Sequence, residues 1–493
     1  MAVIDADFAA PTGRVEPDPN RFRALAVIAI AQLMIVLDAT VVTIALPSAQ
    51  KALHLSVNDR QWVLTAYTLA FGGLLLLGGR IADYLGRKRM FVLSLLGFAG
   101  ASALGGLAQD PAMLFAARAL QGAMAAVMAP SALSLIQVTF TEPKERARAF
   151  GVFGGISGGG AAIGLILGGL LTQYVSWRWT LLINVPIAIG AAFFATRLVS
   201  ESRAERRSTY DIPGGLTSTL GLLALVYGFT KAETDHWGSA TTLSFVILGV
   251  ALLVVFALIE WRTPNPLLPL RVVADRNRGG SFLSTLLLGI GLFATFLFLT
   301  YYFQQVLGYS AVKTGFAFLP FSVGIVAGAT IASQLLPRIG PRPLIFGGLL
   351  LAAGGLVVFA QVGTDVSYLT QLLPAELMTS LGVGTAFVPL SSTALIGVEQ
   401  SDAGVASALV NTAQQTGGSL GVAFLNTVAA AATTNYLAAH RGGGSVTAAA
   451  AVHGYTVGFA ISAGLLGAAA VLALLLLRAQ RSDLSDDMAL AVA

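Results

Sequence analysis

Three ionisable side chains stand where an apolar solvent would have to accommodate them. Asp38 in LDATVVTIALP, Arg118 in LFAARALQG and Glu376 in LLPAELMTS each lie inside a run of apolar residues. A carboxylate in such surroundings is suited to taking up and releasing a proton, or to neutralising a cation, and a nearby guanidinium biases it toward release. At 1.5 Å per helical residue, Asp38 lies ~21 Å from the start of its run and ~9 Å from the far edge of a ~30 Å hydrocarbon core. Arg118 enters its own run from that far edge and has descended ~9 Å. Either ion alone costs at least ~2.5 kcal/mol there, so the equal depth points to a pair or a wet cavity, with snorkelling of Arg118 to the nearer interface as the alternative. Glu376 lies ~12 Å from its nearer edge. It is a second candidate proton site or a counter-charge for a substrate, unless Pro374 sets the helix start so that the acid faces water.

Other chemistries find few residues to use. The chain has no cysteine and four scattered histidines, which leaves no disulfide framework, thiolate nucleophile or HExxH-type metal site. The glycine-rich run Gly151 to Gly169 (GVFGGISGGGAAIGLILGG) fails as a dinucleotide fingerprint, since its nearest register ends in Ile163 and no soluble strand precedes it. No GxxxxGK[ST] is present, so no ATP hydrolysis and no cofactor is implied, and a proton gradient is the expected energy source. The cations are scattered through short loops without forming a basic helical face, which argues against a nucleic-acid partner.

The elements that hold these residues are membrane spans. Of 493 residues, 56% are hydrophobic and only 11% charged, with a mean hydropathy of +0.78, a composition that reads as a polytopic membrane protein. Fourteen apolar runs are long enough to cross a bilayer, each needing about 20 residues. Those near Ala149 and Gly404 are the most diluted by Gly, Ser and Gln. If the N-terminus is cytoplasmic and the spans alternate, 22 of the 29 Lys and Arg fall inside and six outside, the bias expected of a correct count. Met1 to Asn20 is polar and acidic and does not read as a cleavable signal. Two longer polar loops, Val199 to Tyr210 and Trp261 to Arg278, divide the chain 6+2+6. The expected organisation is a cytoplasmic tail over 1–23, a six-helix half over 24–198, loops and an inserted helix pair over 199–279, a second half over 280–477 and a cytoplasmic tail over 478–493.

Between the second and third spans lies the charged hinge GRIADYLGRKR, containing Gly79, Asp83, Gly86 and Arg87. PRIGPRP, at Pro337 to Pro343, looks like a worn copy at the corresponding place in the second half. Gly151, Gly155 and Gly159, then Gly160, Gly164 and Gly168, recur every four residues, a spacing that makes grooves for close helix contact. A central cavity is expected to draw on Trp62, Tyr67, Phe296, Tyr301, Tyr302, Gln305 and Asn411, whose aromatic faces suit flat or cationic ligands. The tyrosines near position 301 fit an interfacial belt equally well.

In this combination the chain resembles the major facilitator superfamily, and within it the fourteen-span drug:proton antiporters, from about Arg21 to Leu477. The hinge is similar to that family's loop signature, LDATVVTIALP to its first-span motif, RALQG to its fourth-span arginine motif, and Gly151, Gly160, Gly164, Gly168 and Gly169 to its fifth-span antiporter motif. WRWTLLINVP (Trp177 to Pro186) and NTAQQTGGSLG (Asn411 to Gly421) also match. Leu165 and Thr43 depart from the usual Pro and Asn. The resemblance implies an all-α integral membrane fold in the cytoplasmic membrane, proton coupling through Asp38, and a latch between halves built on Asp83 and Arg87. It further implies a monomeric, non-enzymatic exporter of amphipathic or cationic drug-like compounds. A dedicated exporter of one metabolite or self-made antibiotic is the alternative, and an integral membrane enzyme a more distant one.

Overall fold

A backbone that leaves water has to satisfy its own hydrogen bonds, and a chain this apolar does so with helices. The computed structural model describes residues 19–483 apart from 58, 141, 203–210, 265, 399–401 and 441–443. No strand occurs among the described residues. The helices are α1 (Arg21–Ala52), α2 (Trp62–Leu85), α3 (Arg87–Gly106), α4 (Pro111–Thr139), α5 (Pro143–Tyr174), α6 (Trp179–Leu198, broken at Ile183), α7 (Ile212–Asp235) and α8 (Ala240–Arg262). After a short helical turn at Leu270–Ala274 follow α9 (Arg276–Val306), α10 (Ala311–Ile339), α11 (Pro341–Phe359), α12 (Tyr368–Thr393), α13 (Ala403–Ala439) and α14 (Gly444–Leu476). Among the described residues, twelve of these are long and apolar enough to cross a membrane. Of the other two, α5 has a described apolar stretch, Gly160–Tyr174, of shorter length, and α13 is diluted by Gly, Ser and Gln.

The helices α1 to α6 pack on one another, as do α9 to α14, and the α7–α8 hairpin lies along the seam where α2 meets α13. Gln61 donates to Thr230 at 3.2 Å, Thr219 to the Gly73 carbonyl at 3.1 Å and Thr427 to the Phe229 carbonyl at 3.0 Å, tying the hairpin to both groups. Its α8 is the least buried of the apolar helices. It leaves Ile247, Val250 and Val254 exposed, as a lipid-facing helix does.

The turns show why the hinge sequences matter. Gly86 has φ +113° between α2 and α3, and Gly340 has φ +79° between α10 and α11, a backbone region costly for any residue with a Cβ. At the first of these turns Glu201 accepts from the Lys88 and Arg89 amides, each at 3.1 Å, which caps α3 and pins the hinge to the end of α6. The hinge-bearing end of the bundle and the opposite end differ in packing. At the opposite end the apolar residues of α1, α2 and α4, from Val42 to Leu114, merge with the core of α9 to α14. Toward the hinge-bearing end, residues such as Ile28, Phe91 and Ile136 form a separate core.

Candidate functional site

Asp38 is fully buried in the middle of α1 and holds three donors. Arg118 Nη1 meets its Oδ2 at 2.5 Å, and Oδ1 accepts from Gln121 Nε2 at 2.9 Å and Asn184 Nδ2 at 2.8 Å. Arg118, 1% exposed, also donates through Nε to the Val63 carbonyl at 2.9 Å and through Nη1 to Gln121 Oε1 at 2.8 Å. Gln121 reaches on to Ser102 at 2.8 Å, and the Tyr67 ring lies 4.5 Å from the guanidinium. One carboxylate thus joins α1, α2, α3, α4 and α6. Buried ions are tolerable when paired and bonded in this way, and removing one member costs ~3–5 kcal/mol.

The Asp38 and Arg118 predicted to lie at one depth are therefore in contact, and snorkelling does not occur. Gln121 and Asn184 were not singled out from the sequence. Gln121 follows Arg118 by three residues inside RALQG, so it shares a helix face, and that spacing was a usable signal. Asn184 lies in WRWTLLINVP, and nothing local points it toward α1.

Glu376 is not brought to this network. It is buried near the start of α12, where Tyr368 Oη lies 3.2 Å from its Oε2 and 2.7 Å from the Ala317 carbonyl. Its Oε1 has no partner, and no cation pairs with it among the described residues. The water-facing alternative is thereby set aside.

At the hinge, Arg87 Nε donates to Asp83 Oδ1 at 2.8 Å. Asp83 and Gly79 share a cleft of about 150 Å³ with Pro130, Leu267 and Gly404, so the hinge acid faces the first turn of α13. The N-terminus of that helix carries its own acid, Asp402, which pairs with Arg271 at 2.8 Å. In the first turn of α5, ahead of its apolar part, Arg21 donates to Glu145 at 2.7 Å and holds that carboxyl below the usual carboxylate range.

The glycine stripe on α5 divides. Gly160, Gly164 and Gly168 lie against Leu33, Val36, Thr40 and Val41 of α1, leaving no room for a Cβ, and Gly169 lies against Ala311 and Val312 of α10. Gly151 does not share this packing: a Cβ there meets nothing within 4 Å.

The residues expected to line one cavity occupy different environments. Trp62 packs against the α7–α8 hairpin, 6.4 Å from the Tyr227 ring, because its side of α2 faces that hairpin. Tyr301 is buried and donates to Gln50 of α1 at 2.6 Å, and Tyr302 is buried and donates to the Gly363 carbonyl at 2.7 Å, so neither is part of an exposed belt. Phe296 stacks on Phe318 at 5.3 Å and meets Phe321 edge-to-face at 4.8 Å, inside the second group. Gln305 is exposed in a π-helical turn at the end of α9. Tyr67 touches the ion pair, and Asn411 is exposed on α13.

Two bundles of long apolar helices, a hinge repeated in each and a buried ion pair define a polytopic membrane transporter. Residues 28–422 match the Major Facilitator Superfamily. The chain is 53% identical to the puromycin resistance protein pur8 of Streptomyces alboniger over 96% of its length and 94% of that protein. It is 38% identical to the cephamycin export protein CmcT of Amycolatopsis lactamdurans over 88% and 91%. In fold it is similar to a bacterial homologue of the human lysosomal transporter Spinster, solved in an inward-facing, unoccupied conformation. That likeness has a TM-score of 0.65 and 17% identity, covering 95% of this chain and 98% of the other. The chain belongs to the Major Facilitator Superfamily.

Proposed function

We propose that this transporter exports a small antibiotic-like molecule across the cytoplasmic membrane in exchange for protons, by alternating access. The observation that carries the reading is the buried Asp38–Arg118 pair. An acid set in the core of a half-bundle, with a guanidinium ready to stabilise its ionised form, is the chemistry a proton carrier needs. A proton returning down ~100 mV supplies about 2.3 kcal/mol, and each pH unit about 1.4 more. The residues present call for no cofactor, and the chain works as a monomer.

In this reading α5 and α13 also cross the bilayer, giving fourteen spans in the 6+2+6 organisation, with both termini and the Asp83–Arg87 hinge in the cytoplasm. The hinge latches the halves, while Glu376 serves as a second proton site. Substrates are amphipathic or cationic and pass between the halves. A single dedicated substrate is the second reading, favoured by relatives whose names each point to one antibiotic, puromycin and cephamycin. The test is a susceptibility panel in a pump-deleted host expressing the chain, with and without a protonophore. Broad resistance abolished by the protonophore supports a multidrug antiporter, and resistance to one compound a dedicated exporter. No change for any compound would overturn both.

A further inference from the structure

Arg60 precedes α2 at the end of the bundle that, on the transporter reading above, faces outward. It is buried, yet among the described residues no carboxylate lies within ion-pair reach of it. Its guanidinium lies over the Tyr301 ring, 3.8 Å from the centroid, donates to Asn426 Oδ1 at 3.3 Å and has Tyr455 beside it. Those three residues belong to α9, α13 and α14, across the seam from α2. Close by, Tyr301 donates to Gln50 and Gln304 Nε2 donates to the Ile44 carbonyl at 3.0 Å, both on α1. This is also the end where the apolar cores of the two groups merge.

We propose that Arg60, clamped on Tyr301, is the bolt of the outer gate, and that its release opens the substrate path outward. The inference rests on the transporter reading. A lock between buried ions would strand a charge when one partner moved away. Here the partners of the cation are neutral, so on parting the guanidinium passes into external water and leaves no acid behind. Cation–π attraction is strongest when desolvated and weak in water, so the contact holds a dry gate and dissolves in a wetted one. Tyr301 directly precedes the π-helical turn Tyr302–Val306, and such turns allow a helix end to shift. The Asp38–Arg118 pair cannot close this gate, since all of its partners lie on one side of the seam.

The chain has no cysteine, so spin labels can be placed at Lys51→Cys and Gln361→Cys. Both positions are exposed, one at the outer end of each group. Distance distributions are measured on the purified full-length protein in liposomes, where transport by the unsubstituted chain is assayed in parallel. A short-distance population should dominate with Arg60 present. Arg60→Ala and Tyr301→Leu should each raise the long-distance population about tenfold. Tyr301→Phe, which keeps the ring and loses the bond to Gln50, should stay close to the parent. Unchanged distributions in Arg60→Ala and Tyr301→Leu would overturn the proposal. So would equal opening by Tyr301→Phe and Tyr301→Leu, which would assign the closure to the Gln50 bond. Should Arg60→Ala fail to fold, the two Tyr301 variants decide. An unsubstituted chain that transports nothing would defeat the transporter reading and leave the distance comparison standing.

Discussion

Arg118 reaches Asp38 across 2.5 Å from a helix on the same side of the seam. Gln121, Asn184 and the Val63 carbonyl, which complete the network, belong to that side too. Rocking the two groups as rigid bodies would leave the pair intact, so the proposed proton exchange at Asp38 would need a rearrangement within α1 to α6. Helix α5 is placed to transmit one. Its Gly164 and Gly168 lie on α1 residues flanking Asp38, while Gly169 lies on α10 across the seam.

Asp38→Asn should abolish substrate accumulation driven by an imposed pH gradient while retaining substrate binding, because an amide imitates the protonated acid without titrating. Glu145 supplies the control. The Arg21 hydrogen bond lowers its folded value, so the stability gained from that pair is full above the ordinary carboxylate range and is lost only as pH falls through the lowered value. Glu145→Gln should leave the pH profile near neutrality unmoved. Parent-rate transport by Asp38→Asn would move proton coupling elsewhere, with Glu376 next to test.

Gly168→Ala should slow transport and lower thermal stability, since its Cβ would press on the Val41 backbone, and overpacking of this kind costs ~1–3 kcal/mol. Gly151→Ala, in open space, should match the parent in both assays. Equal behaviour of the two variants would remove the α1–α5 contact from the mechanism.

The sequence made the helices legible because each is a long apolar run, and it made Asp38 and Arg118 legible because charges are costly there. It could not place Asn184, whose contact with α1 joins residues 146 apart. The aromatics were misread for a related reason. An aromatic residue on an apolar helix fits a cavity, a seam or a core equally well, and only the packing sends Trp62 to the hairpin and Tyr301 to the seam. Gly151 continues the four-residue spacing of its neighbours, yet a Cβ there would stand in open space, which spacing alone cannot show.

Asp83→Asn should weaken transport while leaving the protein in the membrane. The Arg87–Asp83 bond is partly exposed, so its loss costs little stability, about 0–1 kcal/mol. The acid faces the cleft it shares with Gly404, where its charge can bear on the halves as they close. Efflux from cells and membrane abundance on blots separate the two effects, and full efflux would exclude Asp83 from the latch.

Cysteines placed singly at Ser482, and at Ser208, which lies outside the described residues, should resist an impermeant maleimide in intact cells and react once the cells are opened. Ser482 follows α14, whose last turn accepts hydrogen bonds from Arg276 and Arg342 at the starts of α9 and α11. Labelling at either position from outside would refute the cytoplasmic placement of that segment.

Asn184→Leu tests whether the neutral donors hold the buried carboxylate in place. Asn184 and Gln121 add no charge, but both donate to Asp38 Oδ1. A hydrogen bond to a charged group contributes about 1.5–3 kcal/mol. Asn184→Leu should therefore lower thermal stability by an amount of that order and slow substrate-driven proton flux in vesicles. Arg118 and its bond to the Val63 carbonyl remain, so the protein should still reach the membrane. A donor restored by Asn184→Gln should recover part of both losses, which simple loss of packing would not predict. Flux and stability unmoved by Asn184→Leu would mean that Arg118 alone holds the acid.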